Sequence, residues 1–262
     1  MNLLNEGEEL MKKGMFRQIV VVTAVIITIA INALANILPF NGLETGQISD
    51  KFQVYFVPSG YVFSIWGLIY IGLIAYAIFQ ALPSQRDNPR LVGISGLFIL
   101  SSIANCAWIF LWHYELFALT LLAMFTLLVS LILIYLRLGI GSSDKVSTGE
   151  TWSVRVPFSI YLGWITVATI ANISDVLYFV NWSGWGVGTM TWTVIMLVAA
   201  VVIAALMAFT RRDVAYLLVL IWAFAGIANK FPSVPLIYSA SLGAAIVVGL
   251  LVIFTLVIRR KA

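Results

Sequence analysis

Apart from Asp175, charge in this chain lies in or at the edges of the gaps between long apolar runs, and that segregation limits its folding more than any other feature. A run of about 20 apolar residues is the length a helix needs to cross a bilayer. In hydrocarbon, a helix also satisfies its own backbone donors and acceptors. Composition agrees: 62% of the 262 residues are hydrophobic and 10% charged, against about 45–50% and 25% in soluble domains. The fold class is therefore an all-α integral membrane protein with the lipid bilayer as its surroundings. No polar stretch is long enough to form a separate soluble domain.

Eight spans are predicted, near 18–38, 58–82, 91–112, 115–138, 155–180, 188–209, 213–230 and 236–258. Residues 1 to 16 form a short mixed-charge head, read as a helix at the membrane surface. Lys12 and Lys13 precede an apolar run that ends near Ala33-Leu34-Ala35, which resembles a signal peptide with its cleavage site. The length of the run and the seven spans after it favour a retained helix. Residues 39 to 57, punctuated by Pro39, Gly42 and Gly46, form the longest loop. The segment 139–152 is a glycine- and serine-rich turn.

The basic residues test the count. With the N-terminus inside, thirteen Lys and Arg fall on the inner side, and only Lys51 and Lys230 fall outside, which accounts for all fifteen. This positive-inside bias places both termini in the cytoplasm. A net charge of +4 distributed in this way sets topology and gives no nucleic-acid surface. Cys106 is the single cysteine and His113 the single histidine. An internal disulfide is excluded, and a dedicated zinc or iron–sulfur site lacks its ligands. No P-loop, dinucleotide glycine fingerprint, HExxH or histidine-based nucleophile pair occurs.

Candidate binding residues are polar and aromatic groups set inside apolar helices. The fifth span contains YLGWITVATIANISD, where Tyr161, Trp164, Ala168, Asn172 and Asp175 fall near one helical face. An Asn and an Asp on that face must look into the bundle or a cavity. Asp175 either caps a neighbouring helix end, pairs with a ligand group or relays protons. The second span opens with PSGYVFSIWGLIY. Tyr61 suits the aromatic belt at headgroup depth. Phe63, Trp66 and Tyr70 lie in the same aromatic stretch, and the last two are deep enough for either packing or ligand contact. The third span ends in ANCAWIFLWHYE, with Asn105, Trp108 and Trp112 sharing a face. His113 reads as a solvated interfacial residue, with a metal-ligand or pH-sensing role as the alternative. Asn32 and Asn36 read as ordinary interhelical hydrogen bonders, Lys230 as a snorkelling cation. Ala200, Ala204 and Ala208 form a small-residue stripe suited to internal packing or to a dimer.

Three of these segments together resemble the TspO/MBR family of tryptophan-rich sensory and translocator proteins. Tyr161, Leu162, Trp164, Ala168, Thr169 and Asn172 match its fifth-helix pattern. Gly60, Phe63, Trp66 and Tyr70 match its second helix, and Asn105 with Trp108 its third. There are departures. Phe63 and Trp66 are one residue closer to the prolines, Tyr61 stands where the family has tryptophan, and Ile160 stands where it has proline. No basic residue follows Tyr178 to complete a sterol pattern. The resemblance covers residues 18 to 182. It implies a five-helix bundle, 1–182, with three additional helices in 183–262. It also implies a prokaryotic cell-membrane protein, often a homodimer, whose cavity is covered by residues 40–57.

By the same resemblance, a hydrophobic small molecule, porphyrin- or haem-like, binds among Tyr61, Phe63, Trp66, Asn105, Trp108, Trp164, Ala168 and Asn172 for sensing or translocation. No cofactor is required. Tryptophan and tyrosine faces stack on flat macrocycles, and a few amides or carboxylates fix orientation. Two alternatives stay open: a carrier for a small solute that uses Asp175, and light-dependent porphyrin breakdown.

Overall fold

The computed structural model describes residues 2–38, 40–142 and 144–259, with side chains from Lys12 to Ile258. Pro39, Ser143, Arg260 and Lys261, which enter the loop and charge patterns above, lie outside the described residues. Among the described residues the chain forms a bundle of eight long helices. They are α1 (Asn2–Ile37), α2 (Ile65–Ala81), α3 (Pro89–His113), α4 (Phe117–Arg137), α5 (Val156–Phe179), α6 (Thr189–Thr210), α7 (Val214–Lys230) and α8 (Pro235–Arg259). No strand occurs among the described residues.

Seven helices are long and apolar enough to cross a membrane. The exception is α7, whose 17 residues extend about 25 Å against a hydrocarbon core of about 30 Å. Its position explains the short length: more than half of α7 is buried, largely between α5 and α8. The head departs from expectation. Residues from Asn2 onward continue the first span as one helix, because no proline interrupts the register there.

The helix ends follow local chemistry. Pro89 occupies the first turn of α3, where its missing N–H costs nothing, and the Asn88 side chain accepts from Arg90 N at 3.1 Å. Asp213 caps α7 through Tyr216 N. Pro157 removes a donor from the first turn of α5, and the turn ahead of it, Thr151–Arg155, widens to a π-helix.

α5 is the most enclosed span. Lipid tails are as apolar as leucine side chains, so close packing rather than water exclusion holds such helices together. Glycines make that approach feasible. A Cβ on Gly72 of α2 would stand 2.9 Å from Pro157 Cβ, and one on Gly163 of α5 would stand 3.2 Å from the Tyr216 carbonyl oxygen. Tyr76, Phe98 and Phe158 interlock edge-to-face between α2, α3 and α5, with centroids 5.0–6.0 Å apart. Ala200, Ala204 and Ala208 are buried, and α6 packs on α8. That stripe is used within the chain.

The charges sort by end. Arg90 and Glu150 pair at the end where α1 begins. Lys51–Glu115 and Lys230–Asp50 pair at the opposite end. The two basic residues assigned outside are thus both neutralised there.

Candidate functional site

Ten of the twelve candidate residues border one cavity of about 460 Å³. Its wall on α5 is Trp164, Ala168, Asn172 and Asp175. Asn105, Trp108 and Trp112 come from α3, and Phe63, Trp66 and Tyr70 from α2 and the 3₁₀ turn before it. The aromatic rings are ordered. Trp108 and Trp112 stack at 5.1 Å with an interplanar angle of 16°. Phe63 and Trp66 both meet Trp164 edge-on, at 5.7 and 6.4 Å.

Tyr61 and Tyr161 do not border the cavity. Residues three apart eclipse in a 3₁₀ turn, so Gly60 and Phe63 face inward while Tyr61 turns away. Tyr61 is half exposed and rests edge-on against Trp222 of α7 at 5.4 Å. Tyr161 keeps to the predicted face of α5 but lies behind Trp66, with centroids 6.1 Å apart.

The buried asparagines spend their hydrogen bonds on the protein. Asn32 Nδ2 donates to Asn105 Oδ1 at 2.6 Å, and Asn105 Nδ2 donates to the Tyr161 hydroxyl at 3.1 Å, linking α1, α3 and α5. Trp108 Nε1 donates to Asn172 Oδ1 at 3.1 Å, and Asn172 Nδ2 donates to Thr120 Oγ1 at 2.9 Å. The amides therefore lock helices together and hold Trp108 in a fixed plane.

Two other polar atoms on the wall lack partners. Trp164 Nε1 and Asp175 Oδ1 are buried without a hydrogen bond among the described residues. Such groups are costly in a low-dielectric interior. They lie eleven residues apart on one face of α5, or about 16 Å along the axis. Both belong to residues that line the cavity, Trp164 at depth and Asp175 near the lid.

The lid is the segment from Phe40 to Val57. It supplies Glu44, Thr45, Gly46, Ser49, Asp50 and Val57 to the cavity. Ile48 and Phe52 bury against Trp112, Phe117 and Val176. His113 holds the lid down, contrary to the expected solvated position: it is 1% exposed. Its Nδ1 lies 3.1 Å from the Phe40 carbonyl and its Nε2 3.0 Å from Thr45 Oγ1. A carbonyl only accepts, so Nδ1 carries a proton toward Phe40, and Nε2 pairs with the Thr45 hydroxyl. Trp112 Nε1 adds a bond to the Thr45 carbonyl at 3.1 Å.

The far side of the site is braced by α7. The Gly226 carbonyl accepts from Ser59 N at 3.1 Å, and Trp222 Nε1 donates to the Val62 carbonyl at 3.0 Å. A Cβ on Gly226 would stand 2.2 Å from Val62 Cγ2. Lys230 pairs with Asp50 of the lid at 3.2 Å and borders the cavity beside Asp175.

A family model described as TSPO-like protein matches residues 18–254. The chain belongs to the TSPO-like family. The match continues through α6 and α7 and into α8, beyond the residues 18–182 that carried the resemblance. Comparison with curated proteins and with solved structures returned no match.

This TSPO-like chain is an integral multi-pass membrane protein, and its α7 contributes directly to the site. The sequence reading missed Asn32 and Asn36, which border the cavity as well as bonding between and within helices. It also missed Glu44, Asp50 and Lys230 as wall residues. For Lys230 a usable signal exists: it is one of only two basic residues on its side, and Asp175, in the outer half of its span, is the one acid there set apart from basic residues. Nothing in their spacing shows that the lid brings Asp50 to Lys230.

Proposed function

We propose that the chain is a membrane receptor or translocator that binds a flat, largely apolar ligand of tetrapyrrole type in the cavity under the lid. The observation that carries this reading is the pair of unpartnered atoms, Trp164 Nε1 and Asp175 Oδ1, on a wall built mainly of aromatic rings. A volume of about 460 Å³ falls within the range of small-molecule sites, roughly 300–1,000 Å³. Stacked and edge-on indoles suit a conjugated ring, which gains dispersion and quadrupole contacts on its faces. Family membership supports the same class of role. With thirteen basic residues at one end and two at the other, both termini are assigned to the cytoplasm and the lid to the opposite side.

The lid end sets a charge preference. Glu44, Asp50 and Asp175 border it against Lys230 alone, and Asp50 already takes Lys230. Ligands whose lid-facing groups are neutral or cationic are favoured over those that place carboxylates there. The test is binding by Trp108→Ala and Trp164→Ala. Each is expected to lose affinity well beyond any fall in protein yield. Unchanged affinity in both would remove the site assignment.

Transport of a small solute keeps one observation of its own: a buried carboxylate with a partnerless oxygen beside a lysine, inside a span. Ion-gradient-driven uptake into proteoliposomes, abolished in Asp175→Asn, would establish that reading. Gradient-independent ligand binding alone would exclude it.

A further inference from the structure

A second cavity, of about 760 Å³, runs between α2, α5, α7 and the turn that precedes α5, from the middle of the bundle to the end opposite the lid. It shares no lining residue with the site under the lid. Its polar end is Arg155, on the π-turn ahead of α5 and 8% exposed. Arg155 Nη1 donates to the Asp144 carbonyl at 3.2 Å. Its Nε and Nη2 are buried with no hydrogen-bond partner among the described residues.

Those two nitrogens form one edge of the guanidinium, the fork that fits two oxygens of a carboxylate or phosphate. The chain shows what fills such an edge. Arg90 Nε donates to Glu150 Oε1 at 2.6 Å and its Nη2 to Glu150 Oε2 at 3.0 Å. Asp213, the one acid on the second cavity's wall, does not play that part for Arg155. It accepts instead from the hydroxyls of Tyr135 and Ser159 and from Tyr216 N. A buried cation with two free donors is costly unless an anion meets it.

The remainder of the wall is apolar, and its rim faces outward. Leu68, Trp152, Leu218 and Trp222 line the cavity and are all exposed on the bundle surface. In a bilayer that surface meets acyl chains. We propose that this cavity seats an anionic amphiphile, with two head-group oxygens on the Nε–Nη2 edge of Arg155 and its tail against α2 and α7. The basic end of the bundle, which also carries Arg211 and Arg212 at the α6–α7 turn, draws an anionic head to that depth. A free phosphate shares the head-group chemistry but would leave the apolar rim without a partner.

The experiment uses the full chain, delipidated in a neutral detergent and titrated with phosphatidylglycerol, phosphatidylcholine or inorganic phosphate, with bound ligand counted by native mass spectrometry. The wild type is expected to retain one phosphatidylglycerol about tenfold or more in preference to phosphatidylcholine. Arg155→Gln and Arg155→Lys are expected to lose that preference, since neither offers the paired edge. Ala215→Phe, which narrows the apolar part of the cavity and leaves Arg155 in place, is expected to weaken both phospholipids and leave inorganic phosphate unchanged, and it serves if the Arg155 variants do not fold. Equal retention of the two lipids by the wild type, an unchanged preference in folded Arg155→Gln, or unchanged phospholipid retention in folded Ala215→Phe would overturn the proposal. Displacement of phosphatidylglycerol by millimolar phosphate would overturn the amphiphile and leave a free-anion site.

Discussion

Trp164 and Asn105 illustrate two different uses of a buried polar side chain. Asn105 has both ends engaged, by Asn32 and Tyr161, so its role is cohesion. Interhelical hydrogen bonds in membranes average about 0.6 kcal/mol and reach about 1.7. Asn105→Ala is therefore expected to lower stability by about 1–2 kcal/mol, read as an earlier unfolding transition in detergent. Trp164 has a free N–H on the cavity wall. Trp164→Phe keeps a ring against Phe63 and Trp66 and removes the donor, so it is expected to weaken ligand binding about five- to tenfold with little change in unfolding. Equal effects of both variants on stability would show that the two residues do the same job. The sequence reveals that both residues sit on interior faces, because helical spacing fixes the face. It does not separate them, because a donor's partner is a matter of distance between helices.

At the scale of elements, the lid and α7 decide whether the cavity stays closed. His113 bonds to Phe40 and Thr45 at once. His113→Ala is expected to release the lid, seen as faster proteolysis within residues 40–57 and faster ligand dissociation. Unaltered proteolysis would place the holding force in Ile48 and Phe52 instead. Gly226 meets Val62 too closely for a side chain, so Gly226→Ala is expected to cost about 1–3 kcal/mol and to disturb the turn that carries Phe63. Adding Val62→Ala should recover much of that loss, and strict additivity of the two changes would contradict the contact. The spans themselves were legible to within a few residues, since apolar run length and charge position dictate them. The continuous head of α1, the 3₁₀ turn that swings Tyr61 outward and the buried His113 were not. Each depends on how one segment folds back on another.

The whole molecule is a bundle with two separate cavities. Under the lid, aromatic rings and Asp175 line one cavity. At the basic end, Arg155 faces a cavity that opens on the bundle's apolar surface. α7 borders both, through Lys230 under the lid and Val214, Leu218 and Trp222 along the second cavity. This gives the helices beyond residue 182 a structural role: α7 braces the ligand cavity, and α8 packs against α7. The most direct test of the ligand assignment is tryptophan fluorescence of the purified chain titrated in the dark with protoporphyrin dimethyl ester and, in parallel, with the free diacid. The account predicts saturable quenching at one ligand per chain, tighter for the ester because the lid brings Glu44 and Asp50 to the cavity against Lys230 alone, and weakened in Trp108→Ala. Linear, non-saturable quenching by both compounds would contradict it.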